Sequence, residues 1–545
     1  VATPATNVVA NSNGVTASPN AVVAPPGGVS QVPPVTTPIG PPENPVTISG
    51  VITFDRVPIN PFTNGLDYDN TFQSPARNVV VEAVTSGGTV AASTTDENGA
   101  YSLQVEAQTS VRIRARSRMR QTTGVIFDFE VLDNTSNDAP YILAGSFSDS
   151  GVVDSTRNLN APSGWNGSQY TSTRAAAPFA ILDTIFEAVT DFTAVDPAIT
   201  YPRLRVFWSE LNTTANGTFA NGDIGTSFFS RDAGGPFLAI LGAENNDTDE
   251  YDTHVIIHEF GHYFEDQLSR SDSIGGVHDD TVALDLRVAF SEGFANALSG
   301  VILDDSVYRD TFGPAQAAGF SFDNESNSVA PEGWFNEGSV GSIVYDIFDD
   351  DDDGPDTVSV GLGPLYRAMT SDQYRTTPEA TSIFAFIEAL LLQPEVDLAD
   401  IVPLLTEQTI SAIQSDAVGE TNNGGITTSL PVFRGGTFGG SPVTVCSTDD
   451  EGLQNRLGTY AFVQFSLASN QTVTITANRI SGQSPSDPEI ELFREGASVG
   501  FSFSTTTDSE SLTRNLEAGD YLIAITDFNN LDAAGIDVCF DVRIQ

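Results

Sequence analysis

Lysine is absent from this chain: all 23 basic residues are arginine, they face 72 acidic ones, and the formal net charge is −49. Such a balance excludes nucleic acid and anionic lipid surfaces as partners, since both need cationic contacts. It suits a protein kept soluble in salty water. Cysteine is nearly absent too. Cys446 and Cys539, both in the last quarter, read as one disulfide and favour an oxidising compartment, secreted or at the cell surface. No stretch approaches the ~18 continuous apolar residues of a spanning helix, which excludes a membrane span of that kind. Histidine occurs only four times, so any imidazole site must draw on very few residues. No signal peptide is visible, and Val1 is expected to begin a processed mature chain.

What is present points to several domains, because 545 residues exceed one core. Residues 1–45 are Val, Ala, Thr, Asn, Pro and Gly with almost no charge, a composition that reads as a tail or linker. The alternative is an arm that pairs with a sheet edge of a neighbouring copy. Residues 46–135 alternate with period two between turn residues, as β-strands do. Within them Arg112, Arg114, Arg116, Arg118 and Arg120 fall on one strand face. That face is either solvated or docks on an acidic surface, the chain's own or a partner's, giving a second route to self-association. Residues 136–427 mix strand and helix patterns, with helices expected around 253–269, 284–300, 338–349 and 380–393. Residues 428–545 return to alternation. The predicted fold is multidomain α+β: an N-terminal β-sandwich, a central mixed α/β domain and a C-terminal β-sandwich.

Two stretches resemble known accessory modules. Ile48-Ser49-Gly50-Val51-Ile52 followed by Thr95-Asp96-Glu97-Asn98-Gly99-Ala100-Tyr101 resembles the carboxypeptidase-regulatory, transthyretin-like β-sandwich family. Ala518-Gly519-Asp520-Tyr521-Leu522-Ile523 resembles a late strand of the bacterial pre-peptidase C-terminal domain. Both resemblances imply non-catalytic modules.

Chemistry concentrates in His258-Glu259-Phe260-Gly261-His262. Residues four apart share a helix face, so both histidines can turn a ring nitrogen to one Zn2+, with Glu259 placed to take a proton from water. His254, one turn earlier, is expected beside the site and not in it. The metzincin extension is excluded by Glu265 and Leu268. Phe290-Ser291-Glu292-Gly293-Phe294-Ala295-Asn296 resembles the "N-E-G-F-A" helix of gluzincins, the thermolysin and aminopeptidase-N superfamily. That resemblance implies a zincin-like catalytic domain with Glu292 as third zinc ligand and Asn296 supporting a ligand histidine; Ser291 departs from the pattern. His278 competes for the third position. Tyr345 resembles the aminopeptidase-N tyrosine that donates to the oxyanion, while Val340, Ile343, Val344 and Ile347 make packing its alternative role. Pro236-Phe237-Leu238-Ala239-Ile240-Leu241 resembles the gluzincin edge strand that pairs with substrate; a buried strand fits equally. Asp349, Asp351 and Asp353 offer oxygens for Ca2+, although Val360 stands where an EF-hand needs Glu, and a solvated acidic loop is the alternative.

The expectation is therefore a secreted zinc peptidase acting on a peptide or protein substrate. The rival is a structural, adhesive or self-assembling surface protein on a peptidase-like fold.

Overall fold

The computed structural model describes residues 42–350, 357–532 and 535–545 together with the backbone strand Asn7–Val9. The rest of the N-terminal tail, and Asp351 and Asp353, lie outside the described residues. The architecture is multidomain α+β, with sheets on either side of helical stretches along the chain. Two compact units form, one of Val1–Tyr263 with Tyr308–Phe322, the other of Phe264–Val307 with Asp323–Gln545. No helix among the described residues is long and apolar enough to cross a membrane.

In the first unit, strand Pro45–Arg56 pairs antiparallel with Ala100–Glu106 and buries every second side chain from Val46 to Phe54. That alternation is the signature of a strand with one core face. A larger sheet carries Val79–Thr85, Ser110–Gln121, Phe127–Asp133, Leu204–Trp208, Gly235–Ile240 and Phe228–Asp232 in that pairing order. Helix α1, Ala177–Val195, packs on this sheet, with Phe186 edge-on to Phe127. Asn7–Val9 pairs parallel with Ile142–Ala144 of the same chain.

The arginine face of Ser110–Gln121 meets the chain's own carboxylates. Arg114 donates to Glu82 at 2.5 Å, Arg116 lies 3.9 Å from Glu82 and 3.7 Å from Glu130, and Arg118 donates to Asp128 at 2.6 Å. Arg112 lies over the Phe147 ring at 5.0 Å. Only Arg120 is more than half exposed. Glu82, Asp128 and Glu130 come from the strands on either side, so these are cross-strand pairs. They are partly desolvated, so water screens them less than exposed pairs while the lost hydration offsets part of that gain.

Arg174, 3 % exposed, is the most enclosed cation of this unit. It donates to the Gly242 carbonyl and to the fully buried Glu250, and its guanidinium lies 4.5 Å from the Tyr170 ring centroid and 5.3 Å from that of Trp208.

In the second unit, helices α3 (Leu286–Leu303) and α4 (Glu337–Phe348) pack closely because α3 carries glycine at the crossing. A β-carbon on Gly293 would stand 2.4 Å from the Glu337 carbonyl oxygen and 2.6 Å from Val340 Cβ. Gly293→Ala is thus expected to destabilise by about 1–3 kcal/mol through overpacking. The check is a lower denaturation midpoint with an unchanged m-value. Further along, the chain forms two sheets around one core that includes Val463, Ile475, Leu492, Ile523, Phe540 and Val542. Cys446 and Cys539 face each other on the adjacent strands Val443–Ser447 and Val538–Ile544 and are disulfide-bonded.

Candidate metal centre

Helix α2, Thr253–Leu268, forms where apolar residues recur on nearly every side of the turn. Val255, Ile256, Ile257, Phe260, Tyr263 and Phe264 are all buried, and Phe260 and Tyr263 pack their rings against Phe129. Its start is held by Asp252. That carboxylate accepts from the Thr311 amide at 2.7 Å and hydroxyl at 3.2 Å, while its carbonyl accepts from the Ile256 amide.

On this rigid helix His258 and His262 stand one turn apart, with their Nε2 atoms 3.1 Å from each other and rings nearly perpendicular at 88°. Two ring nitrogens on one tetrahedral zinc, each at about 2.0–2.1 Å, would be separated by roughly 3.3 Å. Glu292 of α3 completes the group: one ligand atom from each of His258, His262 and Glu292 lies within 4.8 Å of the others. Two imidazoles and a carboxylate are a donor set suited to zinc. Glu259, next to His258, is buried. His254 is buried too and packs on Tyr308 at 5.5 Å between ring centroids, outside the three-residue group.

Helix α3 begins at Asp285, whose side chain accepts from the Arg287 amide. Ser291, the departure from the resembled pattern, donates from Oγ to Glu265 at 2.6 Å. Asn296, one turn beyond Glu292, is buried, and its carbonyl accepts from Ser299 Oγ and Asn324 Nδ2. His278 lies beside Glu292. Its Nδ1 lies 2.7 Å from Glu337 and its Nε2 lies 3.4 Å from Glu292. Glu337 went unnoticed in the sequence, where an acidic residue at a helix start reads as an ordinary end effect.

A β-carbon on Gly300 would stand 2.7 Å from the Tyr345 ring, and Gly300 lies eight residues along α3 from Glu292, a rise of about 12 Å along the helix axis. Burial, followed by Asp349, Glu325, Asp304 and Asp305, pushes its hydroxyl above the ordinary tyrosine range. Asp349 ends α4, its amide bonded to the Tyr345 carbonyl at 3.1 Å. Strand Gly235–Ile240 is not an edge. It pairs with Leu204–Trp208 on one side and Phe228–Asp232 on the other, so its backbone groups are already engaged and cannot take a substrate strand.

A second group of converging carboxylates, Asp247, Asp249 and Asp310, also has one oxygen from each within 4.8 Å of the others. The sequence held half of its signal. Asp247 and Asp249 alternate as strand residues on one face do, but nothing local ties Asp310 to them.

A profile described as the mycolysin C-terminal domain matches residues 238–384, the stretch that holds His258, His262 and Glu292. No curated protein matches. Among solved structures, the pre-peptidase C-terminal domain of a collagenase from Bacillus anthracis aligns at 10 % identity and TM-score 0.16, covering 21 % of this chain and 94 % of its own. CorA, a surface-associated copper-binding protein of Methylomicrobium album BG8, aligns at 10 % identity and TM-score 0.16, covering 21 % of this chain and 98 % of its own. PliG of Aeromonas hydrophila, a periplasmic inhibitor of g-type lysozyme, aligns at 18 % identity and TM-score 0.14, covering 21 % of this chain and 99 % of its own.

Proposed function

We propose that the chain is a zinc-dependent peptidase whose metal is held by His258, His262 and Glu292. The observation that carries this is the convergence of those three donors around one point, with buried Glu259 on the same helix turn. The matched mycolysin profile over the same stretch supports it. Zinc in a set of two imidazoles and one carboxylate supplies a Lewis acid for a peptide carbonyl and brings the acidity of water close to neutral pH.

The chain's own residues do the rest. Glu259 accepts a proton at its carboxylate from the attacking water and returns it to the departing amine, so the peptide bond and one water become an acid and an amine. His278, anchored by Glu337, steadies Glu292. Ser291 ties the neighbouring turn of α3 to Glu265. Asn296 supports the ligand set, and Tyr345 is left to packing. Residues 46–135 and 428–545 serve as accessory modules of a secreted or cell-surface enzyme.

Stripping the protein with a chelator and adding zinc back tests the reading. A diverse peptide library should be cleaved only after zinc is restored. His262→Ala should retain less than about a tenth of the wild-type zinc, because a tetrahedral site that loses one of three protein ligands binds far more weakly. If the zinc-loaded wild type leaves the library intact, the peptidase reading falls and a role in assembly takes its place.

A further inference from the structure

We propose that Asp247, Asp249 and Asp310 form a calcium site that fastens the entry to helix α2. This stands apart from the zinc reading and would hold if the chain had no peptidase activity.

Strand Asp247–Thr248 pairs antiparallel with Val307–Phe312, Asp247 lying opposite Phe312, and this brings Asp310 to the two acids near α2. The three carboxylates each place an oxygen within 4.8 Å of the others. Two oxygens on one calcium ion, each at ~2.3–2.6 Å, lie no more than about 5 Å apart, and each pair among the three carboxylates meets that bound. An all-carboxylate set selects a hard cation over zinc, and calcium tolerates irregular geometry better than magnesium does.

The second observation is an unmet oxygen. Asp249 is 2 % exposed; its Oδ2 accepts from Ser227 Oγ, while its Oδ1 has no hydrogen-bond partner among the described residues. Buried Oδ1 atoms of Asp247 and Asp310 share that condition. A buried carboxylate oxygen without a partner costs several kcal/mol in general, and three together call for a cation. The cation is not supplied by a side chain that dominates the site. The charges acting most on Asp249 are Asp310, Asp247 and Asp252, and Asp247 is the charge acting on Asp310. Burial holds the Asp247 carboxyl up at about 6, and burial with the Asp247 charge holds that of Asp310 up at about 8. Asp252, with both oxygens taken by Thr311, positions the strand instead of contributing to the ion.

The consequence is mechanical. Asp249 lies four residues before α2, and Asp310 lies beside Thr311, which holds Asp252 at the helix start. A calcium ion across the three would lock the strand to the helix entry, as the Asp252–Thr311 bonds already do from the other side.

The experiment uses the full chain, freed of calcium and held at constant zinc and ionic strength, with wild type compared to Asp310→Asn and Asp349→Asn. Calcium chloride at about one hundred times the Kd should favour the folded wild type about a hundredfold and raise its melting midpoint by about 5 °C. Asp349→Asn should show the same shift. Asp310→Asn should show none, and its calcium-free form should melt no lower than calcium-free wild type, because a repelling charge has been removed. Equilibrium dialysis should find one calcium fewer on Asp310→Asn. No shift in wild type, an equal shift in Asp310→Asn, or equal calcium content in both would overturn the site. Peptide cleavage plays no part in these readings, so failure here and failure of the zinc assignment are separable.

Discussion

Replacing Glu259 with glutamine should leave zinc content unchanged while peptide hydrolysis falls roughly a thousandfold, the range in which a lost general base is felt. Glutamine keeps the shape and hydrogen-bonding reach of the side chain, so the buried position next to His258 tolerates it. What it loses is the capacity to take a proton. The loss should appear in kcat and kcat/KM together, since proton transfer is made only in the transition state. Zinc measured on the same sample separates this from a collapsed site. Turnover within tenfold of wild type, with zinc bound, would remove Glu259 from the chemistry.

Arg174→Met should be among the most destabilising single changes in the first unit. Methionine keeps an apolar side chain of similar length but removes the guanidinium that lies over Tyr170 and Trp208 and leaves Glu250, which has no solvent exposure, without its cation. Breaking a buried pair from one side costs about 3–5 kcal/mol, because the remaining charge is stranded. The melting midpoint should drop on the order of 10 °C. Adding Glu250→Met should recover most of the loss, since an apolar pair of similar volume is often as stable as the ions it replaces. A single variant that melts like wild type would show that water reaches Glu250.

The site was legible where chemistry and periodicity coincide. Helix α2 was expected at 253–269 and spans Thr253–Leu268, because its buried apolar residues and its i, i+4 histidines obey one period. The C-terminal strands were legible for the same reason with period two, and the cysteine pair fell on neighbours in one sheet. The five arginines were legible as one strand face, and the strand runs Ser110–Gln121, but the carboxylates they meet, Asp128 among them, were not. A cross-strand partner leaves no trace in local sequence. The same blindness hid the carboxylate cluster, whose third member arrives through strand pairing from about sixty residues away. It also left Gly235–Ile240 open between an edge and a buried strand, since local pattern tells a strand from a helix but not an edge from an interior position. For Tyr345, the helical register put the ring on the apolar face of α4 but could not say which turn of α3 it would meet.

With lysine absent, arginine is the one residue after which a trypsin-like protease can cut, and there are 23 such bonds in 545 residues. Five of them lie along a single strand whose side chains are clasped by Glu82, Asp128 and Glu130 or laid over Phe147. A protease must draw its substrate out as an extended segment before cleaving, which here means tearing a strand away from its neighbours on both sides. The stretch that looks most digestible on paper is therefore shielded for as long as its sheet holds, and its cutting would serve as a clock for unfolding.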